Sequence, residues 1–397
     1  MERTIYREIK ATRAVWLTGL GLLVLIALAL NSVVYVEHHG HIVTGMNNQI
    51  VWGLPHVFAI FLIVAASGAL NVASIASVFG QQAYKPMSRF SALLAITLLV
   101  GGLAVLVLDL GRPDRLIVAM TKYNFKSIFA WNVLLYTGFM GVVGIYLILQ
   151  MARSVPYKYV KLAGLGAFLW RLALTTGTGS IFGWLVARPG YDAAIMAPLF
   201  IVMSFSFGLA VFLLVTLTLF RLSDRPFGDA LLMRMGRLLG IFAAGVLYFT
   251  VVQHLTNLYA TEHAGVEAFF LHGGGLYTAL FWLVQVGIGG LLPIALVFLR
   301  PSRSSTILAS VLVIIGGFAQ LYVIVIGGQA YPLEIFPGYE VLEGFNEGVV
   351  SSYSPSFCEL TLGIGGVAIA LLAAGIGAKI LRVLPTNLSD ANVSAKS

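Results

Sequence analysis

The chain has 397 residues, of which 59% are hydrophobic and only 10% charged, with a mean hydropathy of +0.93. Soluble globular domains carry about 25% charged residues, so this chain has too little polar surface to cover a water-facing particle, and the missing solvent is lipid. A net charge of +8 would point a soluble protein toward nucleic acid, but here the basic residues flank apolar spans, where they set orientation and meet anionic headgroups. The single cysteine, Cys358, excludes an internal disulfide, a paired-cysteine metal site and an iron–sulfur cluster held by this chain.

In chain order, Met1–Arg13 is basic and precedes an apolar run long enough to span, which predicts a retained first helix rather than a cleaved signal. Ten spans are predicted: 14–37, 52–79, 90–108, 128–151, 159–186, 193–221, 234–258, 274–299, 306–328 and 358–382. At 1.5 Å per residue each covers about 30 Å of hydrocarbon. Lipid offers no partner for free backbone groups, so such spans are helices. The fold class is therefore an all-α polytopic membrane protein, read as one integral-membrane domain over 1–397 with a first helix at 14–37, helical bundles over 52–328, an external loop at 329–357, a last helix at 358–382 and a tail at 383–397.

Lys and Arg give the bundle a direction. With the N-terminus in the cytoplasm, 18 of the 24 fall in cytoplasmic segments and five in outer loops (Arg112, Arg115, Lys122, Lys126 and Arg188), while Arg171 lies inside a span. This bias predicts a multi-pass inner-membrane protein with both termini cytoplasmic. The longest loop, Gly328–Phe357, is then external. It holds Glu334, Glu340, Glu343 and Glu347 and no Lys or Arg, which suits either a partner-docking cap or a plain loop.

Polar side chains gather at the outer helix ends. Asn48, Trp52 and His56 recur every four residues at the start of the second span, which predicts one shared helix face. An amide, an indole and an imidazole there suit a quinone, whose ring needs an apolar slot, donors for its oxygens and a group that carries the proton accompanying each electron. The alternative is an interfacial tryptophan above a core histidine. Asp109 closes the third span beside Arg112, and an ionisable group at that depth is either functional or paired with Arg112 to shape a turn. The fourth span opens with Ser127, Trp131 and Asn132, with Tyr136 one turn on. Arg171 is expected to face the bundle and find a carboxylate or carbonyls, with a part in proton movement or simple snorkelling as the two readings. His254, with Gln253 and Asn257, lies near the outer end of the seventh span. Glu359 opens the last span, as proton acceptor or as a carboxylate at a helix N-terminus. Haem needs paired deep histidines. Only His56 and His254 come near to pairing, and both are shallow, so no haem is expected. A surface cluster is the reading for His38, His39 and His41.

Four motifs occur in order: Asn-x-x-x-Trp-Gly (Asn48, Trp52, Gly53), Leu-Gly-Arg-Pro (Leu110 to Pro113), Ser-x-x-x-Trp-Asn (Ser127, Trp131, Asn132) and Tyr-x-Pro-Ser-x-x-Glu (Tyr353, Pro355, Ser356, Glu359). The set resembles the NrfD/polysulfide reductase (PsrC) family of quinone-interacting membrane subunits. The ten spans look like its longer branch, which includes hydrogenase-2 membrane subunits, and the stretch Gly327 to Glu334 looks most like DsrP of the DsrMKJOP sulfur-metabolism complex. The resemblance implies two four-helix bundles plus two extra helices, and menaquinone or ubiquinone bound as substrate near the outer face. It also implies a periplasmic iron–sulfur ferredoxin-like partner beside other membrane or cytochrome subunits. Asn48, Trp52, His56, Trp131, Asn132 and Tyr136 would line the quinone slot. His56, Asp109 and Glu359 would transfer protons, and Arg171 and His254 would mark a proton path. Some relatives carry a histidine where Asp109 stands. The rival class is a secondary transporter, which places its polar site near the midplane.

Overall fold

The computed structural model describes residues 4–152, 154–333 and 348–391. The expected docking role of Glu334, Glu340, Glu343 and Glu347 lies outside the described residues. Among those described, ten long helices follow one another: α1 (Arg13–His39), α2 (Leu54–Ser77), α3 (Gln82–Leu108), α4 (Ile128–Met151), α5 (Tyr157–Trp184), α6 (Met196–Leu222), α7 (Asp229–Tyr259), α8 (Leu276–Leu299), α9 (Arg303–Ala330) and α10 (Phe357–Ile380). Nine are long and apolar enough to cross a membrane. The tenth, α5, has 28 residues but carries Arg171 and a run of Thr, Gly and Ser in its second half.

Helices α2, α3, α4 and α5 pack as one group and α6 to α9 as another, joined mainly where α2 and α5 meet α6. Helices α1 and α10 pack on each other and close over α3. The two groups approach most closely where Gly68 of α2 meets Gly208 of α6, a crossing at which any side chain would run into the opposing backbone. Gly289 of α8 and Gly316 of α9 form a second such crossing. Part of α8, Leu280–Leu291, and Val323–Gly327 of α9 wind as wider π-helix.

Both termini meet at one end of the bundle. Tyr6–Arg7 (β1) pairs antiparallel with Leu384–Pro385 (β2). Arg225, after α6, donates to the carbonyls of Arg7, Glu8, Leu384 and Pro385. Asp390 caps α7 by accepting from Ala230 N. The opposite end carries His39, Leu54, Leu108, Ile128 and Phe357, and the predicted site residues other than Arg171 lie toward it.

Candidate functional site

The segment leading into α2 is not helical, which corrects the expected face of Asn48, Trp52 and His56. The helix begins at Leu54, with Gly53 as N-cap and Pro55 in its first turn. The physical reason is long-range. The N–H groups of Val51 and Trp52 donate to Gln329 Oε1 at 2.9 and 3.0 Å, and that of Leu54 donates to the Tyr353 hydroxyl at 2.6 Å. Gln329 Nε2 returns bonds to the carbonyls of Trp52 and Val325. With these donors and acceptors taken by side chains from α9 and the loop before α10, no helical turn is needed to satisfy them. Arg188 tightens the same segment by donating to the carbonyls of Gln49 and Gln329.

Trp52 and His56 nevertheless come together by stacking, with ring centroids 6.2 Å apart at 25°. Trp52 also meets Phe129 at the start of α4, Phe182 at the end of α5 and Tyr191 beyond it, at 6.0, 6.0 and 6.3 Å. Such contacts hold the indole in one orientation. His56 Nδ1 lies 3.1 Å from Asp109 Oδ2, the histidine side chain 22% exposed and the aspartate 5%. The contact is close but not aligned as a hydrogen bond, and neither atom has another hydrogen-bond partner among the described residues. His41 Nε2 meets the Asp109 carbonyl at 3.1 Å. Arg112, the other expected partner of Asp109, instead grips Asp114 at 2.9 Å on the surface, which corrects that pairing. The turn after α3 places Arg112 two residues from Asp114 and leaves Asp109 facing α2.

Glu359 is buried, at 2% exposure. Its Oε2 accepts from Gly45 N at 2.8 Å and Ser356 N at 2.7 Å, and its Oε1 accepts from the Tyr353 hydroxyl at 2.7 Å. With Ser356 it forms the capping box of α10. Burial and the bond to Glu359 push the Tyr353 phenol above its ordinary range. The carboxylate therefore caps a helix and fastens the loop before α2 at once.

The α4 residues divide. Trp131 is half exposed, its indole donating to the Phe125 carbonyl. Asn132 is buried, and its amide donates to the carbonyls of Ile128 and Gly177, which ties α4 to α5. Tyr136 is buried one turn deeper. Asn48 is exposed on the segment before α2. Arg171 is buried deep in the first group, donating to the Ser67 carbonyl at 3.3 Å between the rings of Phe168 and Phe205. His254 belongs to the second group, against Phe281, with Nδ1 2.6 Å from Glu267 Oε2. Asn257 donates to Glu267 Oε1 at 2.8 Å.

Gln49, Arg188, Glu267 and Gln329 were not singled out from sequence as site residues. A buried carboxylate at Glu267 carries no local signal, since it stands in a short polar stretch between helices that reads as loop.

The chain is similar to known membrane proteins over most of its length. The family described as "Polysulphide reductase, NrfD" matches residues 42–332. An Hdr-like menaquinol oxidoreductase integral membrane subunit of Archaeoglobus fulgidus is 31% identical over 90% of this chain and 91% of its own length. A putative dimethyl sulfoxide reductase membrane subunit of Halobacterium salinarum is 29% identical over 93% and 91%, and a polysulfide reductase polypeptide of Wolinella succinogenes is 25% identical over 72% and 96%. A multi-pass helical bundle of this length, matched through nearly three-quarters of its residues, belongs to the NrfD/polysulphide reductase family of membrane subunits.

Proposed function

We propose that this chain binds quinone or quinol at the end of the bundle that carries His56 and Asp109. It would exchange electrons between the membrane quinone pool and an external iron–sulfur subunit of a larger redox complex. The observation that carries the reading is the His56–Asp109 contact, an acid and a base within 3.1 Å that are not committed to each other by an aligned hydrogen bond, beside the stacked Trp52. Each quinol that is oxidised releases two electrons and two protons. The electrons pass to the iron–sulfur partner, and the two protons leave one after the other through His56, with Asp109 stabilising the charge on the imidazolium each time. In the reducing direction the same groups supply protons. Trp52, Phe129 and Trp131 offer flat apolar surface for the ring. Similarity to menaquinol oxidoreductase and polysulfide reductase subunits supports menaquinone as the carrier and a sulfur compound as substrate of the whole complex. The positive-inside bias supports an inner-membrane placement with both termini cytoplasmic and the His56 end outside, so the iron–sulfur partner docks there.

The test is titration of a hydroxyquinoline N-oxide quinol analogue into membranes holding the intact complex. His56→Ala should weaken its binding at least about tenfold, a loss of roughly 1.4 kcal/mol. Unchanged binding together with unchanged quinol turnover would remove the site from these residues.

A further inference from the structure

A small cavity that His56 does not line also borders Asp109. It is lined by Ser32, Val33 and Val36 of α1, Thr44, Leu108, Asp109, and Cys358, Glu359 and Leu362 of α10. Its volume is about 10 Å³, room for about one water molecule. The family match ends at residues 42 and 332, so α1 and α10 both lie outside it. These two helices meet each other, and between them they enclose a space against the carboxylate that faces His56.

Two observations make this space more than a packing defect. Asp109 Oδ2 is a buried acceptor with no hydrogen-bond partner among the described residues, which costs free energy unless water or a proton donor supplies the bond. The wall of the cavity is mostly apolar, but the side-chain oxygens of Ser32, Thr44, Asp109 and Glu359 interrupt it, and the two hydroxyls, each with a bond already made to Thr361 or to the His41 carbonyl, keep room for one more partner of the kind a water supplies. Resting on the proposed quinone reading, we infer that this cavity is the proton outlet of the His56–Asp109 pair. A proton taken by His56 passes to Asp109 and leaves through water held between α1 and α10. In quinone reduction it enters the same way. No other reactant is needed, because the step moves one proton along a chain of oxygens. Glu359 is held in place along the wall, since three donors already bond its two oxygens. The other titratable groups facing this region are His41 against the Asp109 carbonyl, Tyr353 on Glu359, and Cys358 itself.

Filling the cavity tests the assignment without touching His56 or Asp109. Val36→Phe in the intact complex should lower quinol turnover at least about tenfold, the lower reach of positioned proton transfer, while the Kd of the quinol analogue holds. A small permeant weak acid should restore part of the rate. Cys358 is the one cysteine in the sequence and supplies a second route that needs no refolded variant. Methylthiolation of the assembled wild-type complex should slow turnover, and a Cys358→Ala complex, normalised to its own untreated rate, should be insensitive. Full turnover in Val36→Phe, or equal loss in the treated wild-type and Cys358→Ala complexes, would overturn the outlet. Should His56→Ala leave analogue binding intact, the quinone reading itself fails, which is a separate outcome.

Discussion

Two imidazole–carboxylate pairs stand at the same end of the bundle, one in each helix group, and they differ in how completely they are satisfied. In the second group Glu267 is 1% exposed and both its oxygens are bonded, one to His254 and one to Asn257. In the first group Asp109 touches His56 at 3.1 Å without alignment, and Oδ2 has no other bond among the described residues. A satisfied buried pair rigidifies a fold, and an unsatisfied one is held at a cost that function explains. The settings agree with that division. His56 stacks with a tryptophan and stays 22% exposed, whereas His254 packs crosswise against Phe281 at 13%.

Substitution separates the pairs, and the largest effect belongs to the first. Asp109→Asn should lower quinol turnover of the intact complex by about 10²-fold, the usual worth of a positioned proton-transfer group, with little change in thermal stability. His254→Ala should do the reverse. It strands a buried carboxylate with one partner fewer, which costs about 3 kcal/mol, read as a lower unfolding midpoint in detergent with quinol-analogue affinity unchanged. If His254→Ala abolished analogue binding while Asp109→Asn did not, the two roles would be exchanged.

The ten helices were legible because lipid demands contiguous apolar runs. The fourth span, 128–151, coincides with Ile128–Met151. The seventh begins at Asp229, five residues before the predicted 234, because a helix that continues past the hydrocarbon into charged sequence is invisible to hydropathy. The site was legible as a list of side chains at helix ends and not as a geometry. Trp52 was read on a helix that starts only at Leu54, since the groups that hold it out of the helix lie far along the sequence, Gln329 being 277 residues from Trp52 and Glu359 being 314 from Gly45. No local pattern encodes such partners.

Those distant partners extend the comparison to the scaffold of the first pair. Gln329→Leu removes the two acceptor bonds to Val51 and Trp52 N–H and leaves these groups without partners. At about 1 kcal/mol or more for each, the segment should loosen by roughly 2–3 kcal/mol. The expected readout is faster hydrogen exchange at Val51 and Trp52 and weaker quinol-analogue binding, with the His254–Glu267 end unaffected.

The smallest effect is expected at a third pair, a carboxylate with an arginine, which sets the lower bound of the series. Arg382 Nε meets Glu8 Oε1 at 2.8 Å where the termini join, but the side chains are 62% and 43% exposed. The hydrogen bond from Arg382 holds the Glu8 carboxyl below its ordinary value. A depressed carboxyl contributes stability above its unfolded pKa, and that contribution is lost as pH falls through the lower folded value. Water screens so exposed a pair, and β1 stays tied through Arg225 to backbone carbonyls that do not titrate. Arg382→Gln should therefore lower the unfolding midpoint at neutral pH only slightly, and that small difference from the wild type should vanish as pH falls below about 4.5, near the ordinary glutamate value. A midpoint shift at neutral pH as large as that of His254→Ala would mean that burial does not rank these three pairs.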